Sequence, residues 1–241
     1  MASTTARGRI FSVRGALLCS FIAGALALAT PSGAVVYCTP TAGEVPILKV
    51  SPAAVPPPAN GKYGFKLKTT LDGCVADTAK LDAWIPAKKG TADGALIAQA
   101  EIQLAVAGYG NCGFGIISSN PAAYVPTGTL KLKWLDAAGD TIKSAKPSSA
   151  SVRISGISFS QAGLTAIAEG IVTKGLGIGA SVQLTIPIQT NLADPFADPW
   201  ALCMIGNGPI PPIPGLPAAT PLKEFQLRAR PSFGIGFPSF P

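Results

Sequence analysis

The chain has 241 residues, of which 48% are hydrophobic and 13% are charged, and it contains 27 glycines, 23 prolines and no histidine. The formal net charge of +7 is mild for this length, and the lysines are not grouped with aromatic residues as in nucleic-acid-binding modules, so we exclude nucleic acid as a partner. The lack of histidine excludes serine–histidine and cysteine–histidine catalysis and makes a zinc site a poor fit.

The N-terminus has the pattern of an export signal. Its basic residues are Arg7, Arg9 and Arg14. They precede the apolar run 16–29 and the small residues 32–34, so residues 1–34 are predicted to be a signal peptide cleaved after Ala34, with cleavage after Ala29 as the alternative. The apolar run is shorter than the roughly 20 residues that span a membrane. We expect a secreted, extracellular or cell-envelope protein without a transmembrane helix in the mature chain.

The first half of the mature chain is predicted to form short strands. Residues 45–50 are a strand candidate, and the proline-rich stretch 51–58 that follows is predicted to be a connector. Residues 63–71 alternate apolar and polar side chains after the turn signal Asn60-Gly61, and 81–85 is a further short strand.

Residues 95–107 are rich in helix-forming residues, but their periodicity predicts a strand. The apolar positions of this stretch are Ala98, Ala100, Ile102, Leu104 and Val106, and the polar positions between them are Gln99, Glu101 and Gln103. This two-residue alternation places one side of a strand in a core. The glycines of 108–113 predict a turn into a short strand over 114–118.

Residues 129–134 alternate in the same way. Leu130, Leu132 and Trp134 are expected to face the core, and Lys131 and Lys133 to face water. The turn 136–140 is predicted to lead to a partner strand at 141–143. Lys66 and Lys68 alternate similarly in the earlier strand. These four lysines are interpreted as the solvated side of the sheet, with a polyanion-binding surface as the alternative.

The alternation continues in the second half of the chain. It shifts phase at Gly156, which predicts a β-bulge. The segment 164–174 leads through the glycine-rich turn 175–179 to a strand over 181–189. The core-facing residues of that strand are Val182, Leu184, Ile186 and Ile188. Pro187 lacks an N–H, so the strand is predicted to lie at an edge or beside a bulge near its end.

The last predicted strand alternates through Phe225, Leu227 and Ala229. The proline-rich segment 194–221 is predicted to be a long loop, and 230–241 a loosely ordered tail unless its phenylalanines dock. These elements predict an all-β fold over residues 35–229, a single antiparallel domain of about 8–10 short strands. Either a β-barrel or a β-sandwich would satisfy the pattern.

Four cysteines remain once Cys19 leaves with the signal peptide. They are Cys38, Cys74, Cys112 and Cys203. An even number of cysteines in an exported chain predicts two disulfides. We favour the pairs Cys74–Cys112 and Cys38–Cys203, while a first hairpin would instead bring Cys38 beside Cys74. The chain has no CxxC motif, so no metal site is assigned.

Several motifs together resemble a group of exported four-cysteine all-β proteins of actinobacterial type. The motifs are Leu71-Asp72-Gly73-Cys74, the tryptophan strand from Thr127 to Trp134, the segment from Glu169 to Gly175, and the four cysteines in this order. The resemblance implies an all-β exported domain with two disulfides. It implies no activity, and no functional residue is carried over from it.

The candidate residues for chemistry are few. Asp136 with Asp140, and Asp194 with Asp198, are carboxylate pairs that we interpret as turn-forming, with calcium binding by the second pair as an alternative. Trp200 lies in the proline-rich loop and is the best candidate for an exposed ligand contact. We assign no catalytic residue and no cofactor.

Three functions remain open for the sequence. The favoured one is an exported non-enzymatic β-domain that binds an apolar ligand, a carbohydrate or a component of the cell envelope. The alternatives are an oligomeric pore-like protein of the envelope and a carboxylate-dependent glycan-cleaving enzyme.

Overall fold

The protein was analysed as a computed structural model that describes residues 34–40, 43–77, 96–112, 125–160, 163–188, 199, 202–203 and 220–236. Within these residues it forms eleven strands. They are β1 Ala34–Cys38, β2 Ile47–Ala54, β3 Gly61–Leu71, β4 Cys74–Ala76, β5 Gln99–Gly110, β6 Thr127–Leu135, β7 Ser148–Ser160, β8 Gly163–Lys174, β9 Ser181–Ile188, β10 Leu222–Gln226 and β11 Ser232–Gly236. The predicted all-β antiparallel class is confirmed.

All eleven strands belong to one antiparallel sheet, in the order β10-β2-β3-β5-β6-β7-β8-β9-β11-β1-β4. Its centre is a meander, because β5 to β9 follow one another in sequence and each pairs with the next. The longest pairing without a register shift joins β3 and β5 from Gly61 opposite Gly110 to Leu71 opposite Ala100. Sequence neighbours are thus neighbours in the sheet through most of the fold.

The first and last segments of the described chain pair with each other. β1 lies between β11 and β4, and β2 lies between β10 and β3. The C-terminal segment also runs beside β9, because Leu227 bridges Ile188, the Arg228 N–H donates to the Pro187 carbonyl, and β11 pairs with β9. The single sheet is therefore curled in the form of a half-barrel, and its C-terminal segment contacts both β2 and β9.

Three pairs of consecutive strands follow one another along the sheet with a break between them. The pairs are β1 with β2, β3 with β4, and β10 with β11. Arg230 lies at this level. Its guanidinium donates to Asp72 Oδ1 at 2.7 Å and to the Thr70 carbonyl. A Cβ on Gly43, in the loop after β1, would lie 3.0 Å from the Arg230 guanidinium. One partly buried ion pair thus lies beside all three breaks.

The core lies inside the curl and follows the predicted alternation. In β5 the residues Ala100, Ile102, Leu104 and Val106 are buried, and in β9 every second residue from Val182 is buried. The largest fully buried side chains include Trp134, Tyr63 and Phe233. The rings of Trp134 in β6 and Phe233 in β11 are 6.3 Å apart, although these strands are not neighbours in the sheet. The interior is therefore filled by side chains that meet across it.

One buried hydrogen-bond chain orders the end of the sheet where β6 stops. The Trp134 indole N–H donates to Ser148 Oγ at 3.1 Å, and the Ser148 hydroxyl donates to the Leu176 carbonyl at 2.6 Å. Ser148 is 2% exposed, so these bonds satisfy polar atoms that water does not reach. They fix the turn after β8 to the core residue Trp134.

Several strand predictions are confirmed. β3, β5, β6 and β9 lie where the alternation placed them, and the register shift between Ile154 and Gly156 is the predicted bulge. The edge position expected for this strand is wrong, because β9 pairs with β8 on one side and with β11 on the other, and neither pairing contains a bulge. Pro187 does lie near the end of β9, beyond Thr185, which is the last residue of β9 that pairs with β11. Its missing N–H therefore removes no bond to β11.

Other boundaries differ from the prediction. β2 continues through Pro52 to Ala54, where a connector was expected. Its residues that pair with β3 are Lys49, opposite Lys66, and Val50, opposite Phe65. Pro52 comes after these pairs, so its missing N–H removes no bond between β2 and β3. The strand expected at 141–143 is only a bridge from Thr141 to Leu135, and β7 begins at Ser148. The candidates at 81–85 and 114–118 lie outside the described residues.

The C-terminal segment is also more ordered than predicted. Residues 232–236 form β11, whereas 230–241 was expected to be a loose tail. The reason is that Phe233 and Ile235 are buried at 1% and 0% exposure and pair between β9 and β1. The sheet therefore extends past the predicted domain end at residue 229. The predicted loop 194–221 lies almost wholly outside the described residues.

The favoured disulfide pairing was wrong. The structure joins Cys38 to Cys74 and Cys112 to Cys203. Cys38 and Cys74 are opposite one another in the antiparallel pair of β1 and β4, which is the alternative that the sequence left open. Cys112 follows β5, and its N–H donates to the Val55 carbonyl at the end of β2. The first bond therefore lies within the sheet, whereas the second joins the residue after the end of β5 to Cys203, which belongs to no strand.

Candidate functional site

The outer side of the sheet carries a group of lysines that we call the lysine face. It consists of Lys49 in β2, Lys66 and Lys68 in β3, and Lys131 and Lys133 in β6. All five side chains are exposed. Each belongs to a strand whose alternate residues are buried in the core, so the period of two places the lysines outward. The outward position of Lys66, Lys68, Lys131 and Lys133 was predicted.

Strand pairing brings these lysines close together. Lys49 is directly opposite Lys66, and Gln103 of β5 lies between Lys68 and Lys131. Alternate residues along a strand are about 7 Å apart, and neighbouring strands are about 4.8 Å apart. Lys68 and Lys131 lie on either side of β5, so two strand spacings separate them by about 10 Å. This is close to the Debye length of about 8 Å at physiological ionic strength. The five charges therefore act together on an approaching anion.

Two acidic residues adjoin this group. Glu224 of β10 lies directly opposite Lys49, and the other is Glu101 of β5. It lies opposite Lys133, and its carboxylate is 3.3 Å from the Lys68 ammonium. Among the described residues, the other four lysines have no carboxylate within 4.0 Å. Like charges directly opposite one another, as in Lys49 and Lys66, destabilise a sheet. The lysine face thus carries five positive charges against two acidic neighbours, and neither Lys66 nor Lys131 lies opposite an acidic residue.

The carboxylate of Glu101 has a lowered pKa. The main cause is the hydrogen bond that Gln103 Nε2 donates to Glu101 Oε1 at 3.0 Å, and the ammonium groups of Lys68 and Lys133 act in the same direction. Partial burial raises the pKa but does not outweigh these effects. Glu101 is therefore held in its charged form and organises the side chains around it.

Glu101 is expected to make stability depend on pH. Because its pKa is lower in the folded state than the ordinary value of about 4.3, its contribution is present above that value and is lost as the pH falls through the folded pKa. The variant Glu101→Gln should show a smaller loss of stability on acidification. The measurement is urea unfolding at a series of pH values from neutral to acidic. The expected difference is about 0.5 kcal/mol, because Lys68 is 72% exposed; identical pH profiles would contradict it.

The opposite half of the outer surface has a different character. The outward positions of β7, β8 and β9 carry mainly serine, threonine and glutamine. The charged residues Arg153 and Glu169 pair with each other at 3.1 Å. Positive charge is therefore concentrated on the side formed by β2 to β6.

The carboxylates of Asp72, Glu101, Asp136 and Glu169 have structural partners. Asp136 Oδ1 accepts the N–H groups of Ala138 and Asp140, which is the turn-forming role predicted for this pair. Asp72 pairs with Arg230 and Glu169 with Arg153. The pair Asp194 and Asp198, and the calcium site considered there, lie outside the described residues. Within the described part of the chain, no three cysteine or acidic side chains are grouped as metal ligands.

Two tryptophans were singled out in the sequence, Trp134 as a core residue and Trp200 as a ligand contact. Trp134 is fully buried, as predicted, and contributes to the core. Trp200, the candidate ligand contact, lies outside the described residues. The sequence did not indicate one feature that the structure adds, an exposed isoleucine at the tip of the turn between β8 and β9. Residues in turns do not alternate between apolar and polar side chains, so the sequence pattern does not predict which of them are buried.

Two further observations bear on the compartment. The disulfides Cys38–Cys74 and Cys112–Cys203 indicate an oxidising environment. In the part of the chain that the structure describes, no helix has both the length and the apolar character required to cross a membrane.

Comparison of the chain with protein-family models, curated proteins and solved structures found no match. The resemblance to exported four-cysteine proteins therefore stays a prediction.

Proposed function

We propose that this protein is an exported, non-enzymatic β-domain that binds an anionic component of the cell envelope through its lysine face. The observation that carries the proposal is the set of five outward lysines on β2, β3 and β6, which outnumber their two acidic neighbours, Glu101 and Glu224. Clustered positive charge attracts anions and raises their rate of association. Two disulfides are consistent with an exported domain that works outside a reducing compartment.

The other functions that the sequence left open receive less support. A ligand cavity or a water-filled pore inside the sheet would need space where Trp134, Tyr63 and Phe233 are packed. A glycan-cleaving pair of acids would need two carboxylates facing a cleft. Among the described acids, Asp136 instead supports a turn, and Asp72, Glu101 and Glu169 pair with arginine or lysine.

The proposal predicts binding to a soluble polyanion. The exported protein should bind long-chain inorganic polyphosphate, more weakly at higher salt concentration. The variant Lys66→Glu/Lys131→Glu should bind at least about tenfold more weakly, because two attractive charges become repulsive within about one Debye length of the others. Binding is measured by fluorescence anisotropy of labelled polyphosphate.

A matched control separates the face from overall charge. The variant Lys223→Glu/Arg228→Glu changes the net charge equally at two exposed basic residues outside the lysine face. It should retain most of the binding. Equal losses in both variants, or no binding by the unaltered protein, would contradict the proposal.

A further inference from the structure

Exposed apolar side chains gather at one end of the sheet. Because neighbouring strands are antiparallel, β3, β6 and β8 end where β5, β7 and β9 begin. Of the six large apolar side chains that are exposed among the described residues, four lie at this end. They are Val75 at 70% exposure, Ile178 at 65%, Ile171 at 56% and Leu96 at 50%. We call this the apolar end.

Ile178 is held in water by an ordered turn. Gly175, Gly177 and Gly179 have φ angles of 87°, 75° and 84°, which favour glycine, and the Gly179 N–H donates to the Val172 carbonyl at 2.8 Å. Leu176, between the first two glycines, is buried, and its carbonyl accepts the hydroxyl of Ser148. The turn thus buries one apolar residue and presents the next one outward.

Lysines surround this tip. The Leu176 N–H donates to the Lys146 carbonyl at 3.3 Å, so the loop that carries Lys143 and Lys146 packs against the turn. Lys174 ends β8 just before the turn and lies opposite Ser149, which is itself opposite Lys131 of the lysine face. The lysine face therefore continues to the apolar end. Asp136 and Asp140 are also at this end, where Asp136 serves the turn of β6.

Protruding isoleucines set among lysines match the surface of an anionic bilayer. Apolar side chains enter the boundary between headgroups and acyl chains, while lysines remain at the level of the anionic headgroups. A protein partner would instead be expected to need a continuous apolar patch, whereas glycines, serines and lysines separate these residues. β1 also begins at the apolar end. Its first residue, Ala34, is opposite Gly236, and its residue Tyr37 is opposite Val75.

We infer that the apolar end docks on a membrane surface containing anionic lipid, with Ile178 inserted and Lys146 and Lys174 at the headgroups. This inference rests on the proposed function and names the anionic component as lipid. The docked orientation would place the lysine face beside the bilayer, on the flank of the domain.

Vesicle co-sedimentation tests the inference with protein recovered after export, its N-terminus checked by mass. The protein should bind vesicles of equal parts phosphatidylglycerol and phosphatidylcholine, and pure phosphatidylcholine far less. Ile178→Ser should weaken binding about tenfold by removing buried apolar area. Lys146→Glu/Lys174→Glu should weaken it by about fivefold or more for each lysine. Tyr109→Ser, at an exposed residue near the end of β5 away from the apolar end, should bind as the unaltered protein does.

The polyphosphate assay separates this inference from the proposed function. Ile178→Ser should bind polyphosphate normally, because it removes no charge. Polyphosphate binding without vesicle binding would overturn the lipid inference and leave the proposed function standing. Vesicle binding that is unchanged in Ile178→Ser would also overturn it. Self-association that disappears in Ile178→Ser, measured by sedimentation without vesicles, would assign the apolar end to a second copy of the chain instead.

Discussion

Replacing Cys112 and Cys203 together by alanine is expected to lower the free energy of unfolding by about 4 kcal/mol. The bond closes a loop with a sequence separation of 91 residues, and the chain-entropy model gives a stabilisation of this size for such a loop. Both cysteines are fully buried, next to the Ala54 carbonyl that ends β2. Denaturant unfolding followed by circular dichroism measures the change.

A mismatched variant checks the pairing itself. Cys38→Ala/Cys74→Ala also removes one bond, with a separation of 36 residues, and should lose a similar amount. Cys38→Ala/Cys203→Ala breaks both bonds and leaves Cys74 and Cys112 unpaired, so its loss should be about twice as large. If the mismatched variant were as stable as the matched ones, the observed pairing would be incorrect.

The second large effect is expected from Gly170→Ala, which should lower the free energy of unfolding by about 3 kcal/mol or more. Gly170 lies in β8 opposite Val152, and an added Cβ would be 1.8 Å from the Ser151 carbonyl oxygen of β7. The obstacle is backbone, so it moves only if the two strands separate. Glycine at this position lets the backbones of β7 and β8 approach each other closely where the sheet is curled.

Gly139→Ala is the matched control. Gly139 has a φ of 86° and nothing within 4 Å of an added Cβ, so the alanine meets backbone strain but no obstacle. Its loss should be about 1 kcal/mol. Urea unfolding of both variants measures the difference, and an equal loss in the two would show that close approach at Gly170 is not the cause.

The sequence predicts those parts of the fold that depend on alternation. In β5, β6 and β9 each side chain has only two sides to choose between, and the apolar residues determine the choice. The phase shift at Gly156 is read in the same way. The outward lysines follow directly, so four of the five residues of the lysine face could be assigned before the structure was known.

The breaks and long-range pairs have no comparable signal. The interruption between β3 and β4 depends on Asp72 meeting Arg230, which is 158 residues away in sequence. The disulfide pairing follows from β1 lying beside β4, which periodicity does not determine. β11 was missed because proline and glycine around Phe233 suggested a loose tail, whereas burial between β9 and β1 orders it.

The proposed site shows the same division. Alternation indicates that Lys66 and Lys131 face water. Whether both can contact the same anion depends on the distance between β3 and β6, which are separated only by β5. The exposure of Ile178 comes from the hydrogen bonds and glycines of its turn. Tertiary contacts therefore decide which solvent-facing residues form one surface.

The neighbouring positions of Ala34 and Gly236 have a consequence for biogenesis. The ribosome releases Ala34 first and Gly236 about two hundred residues later. Until then β1 has no partner on the side that β11 occupies, and this part of the sheet cannot form. The last pairings of the sheet therefore form only after the C-terminal segment has been synthesised.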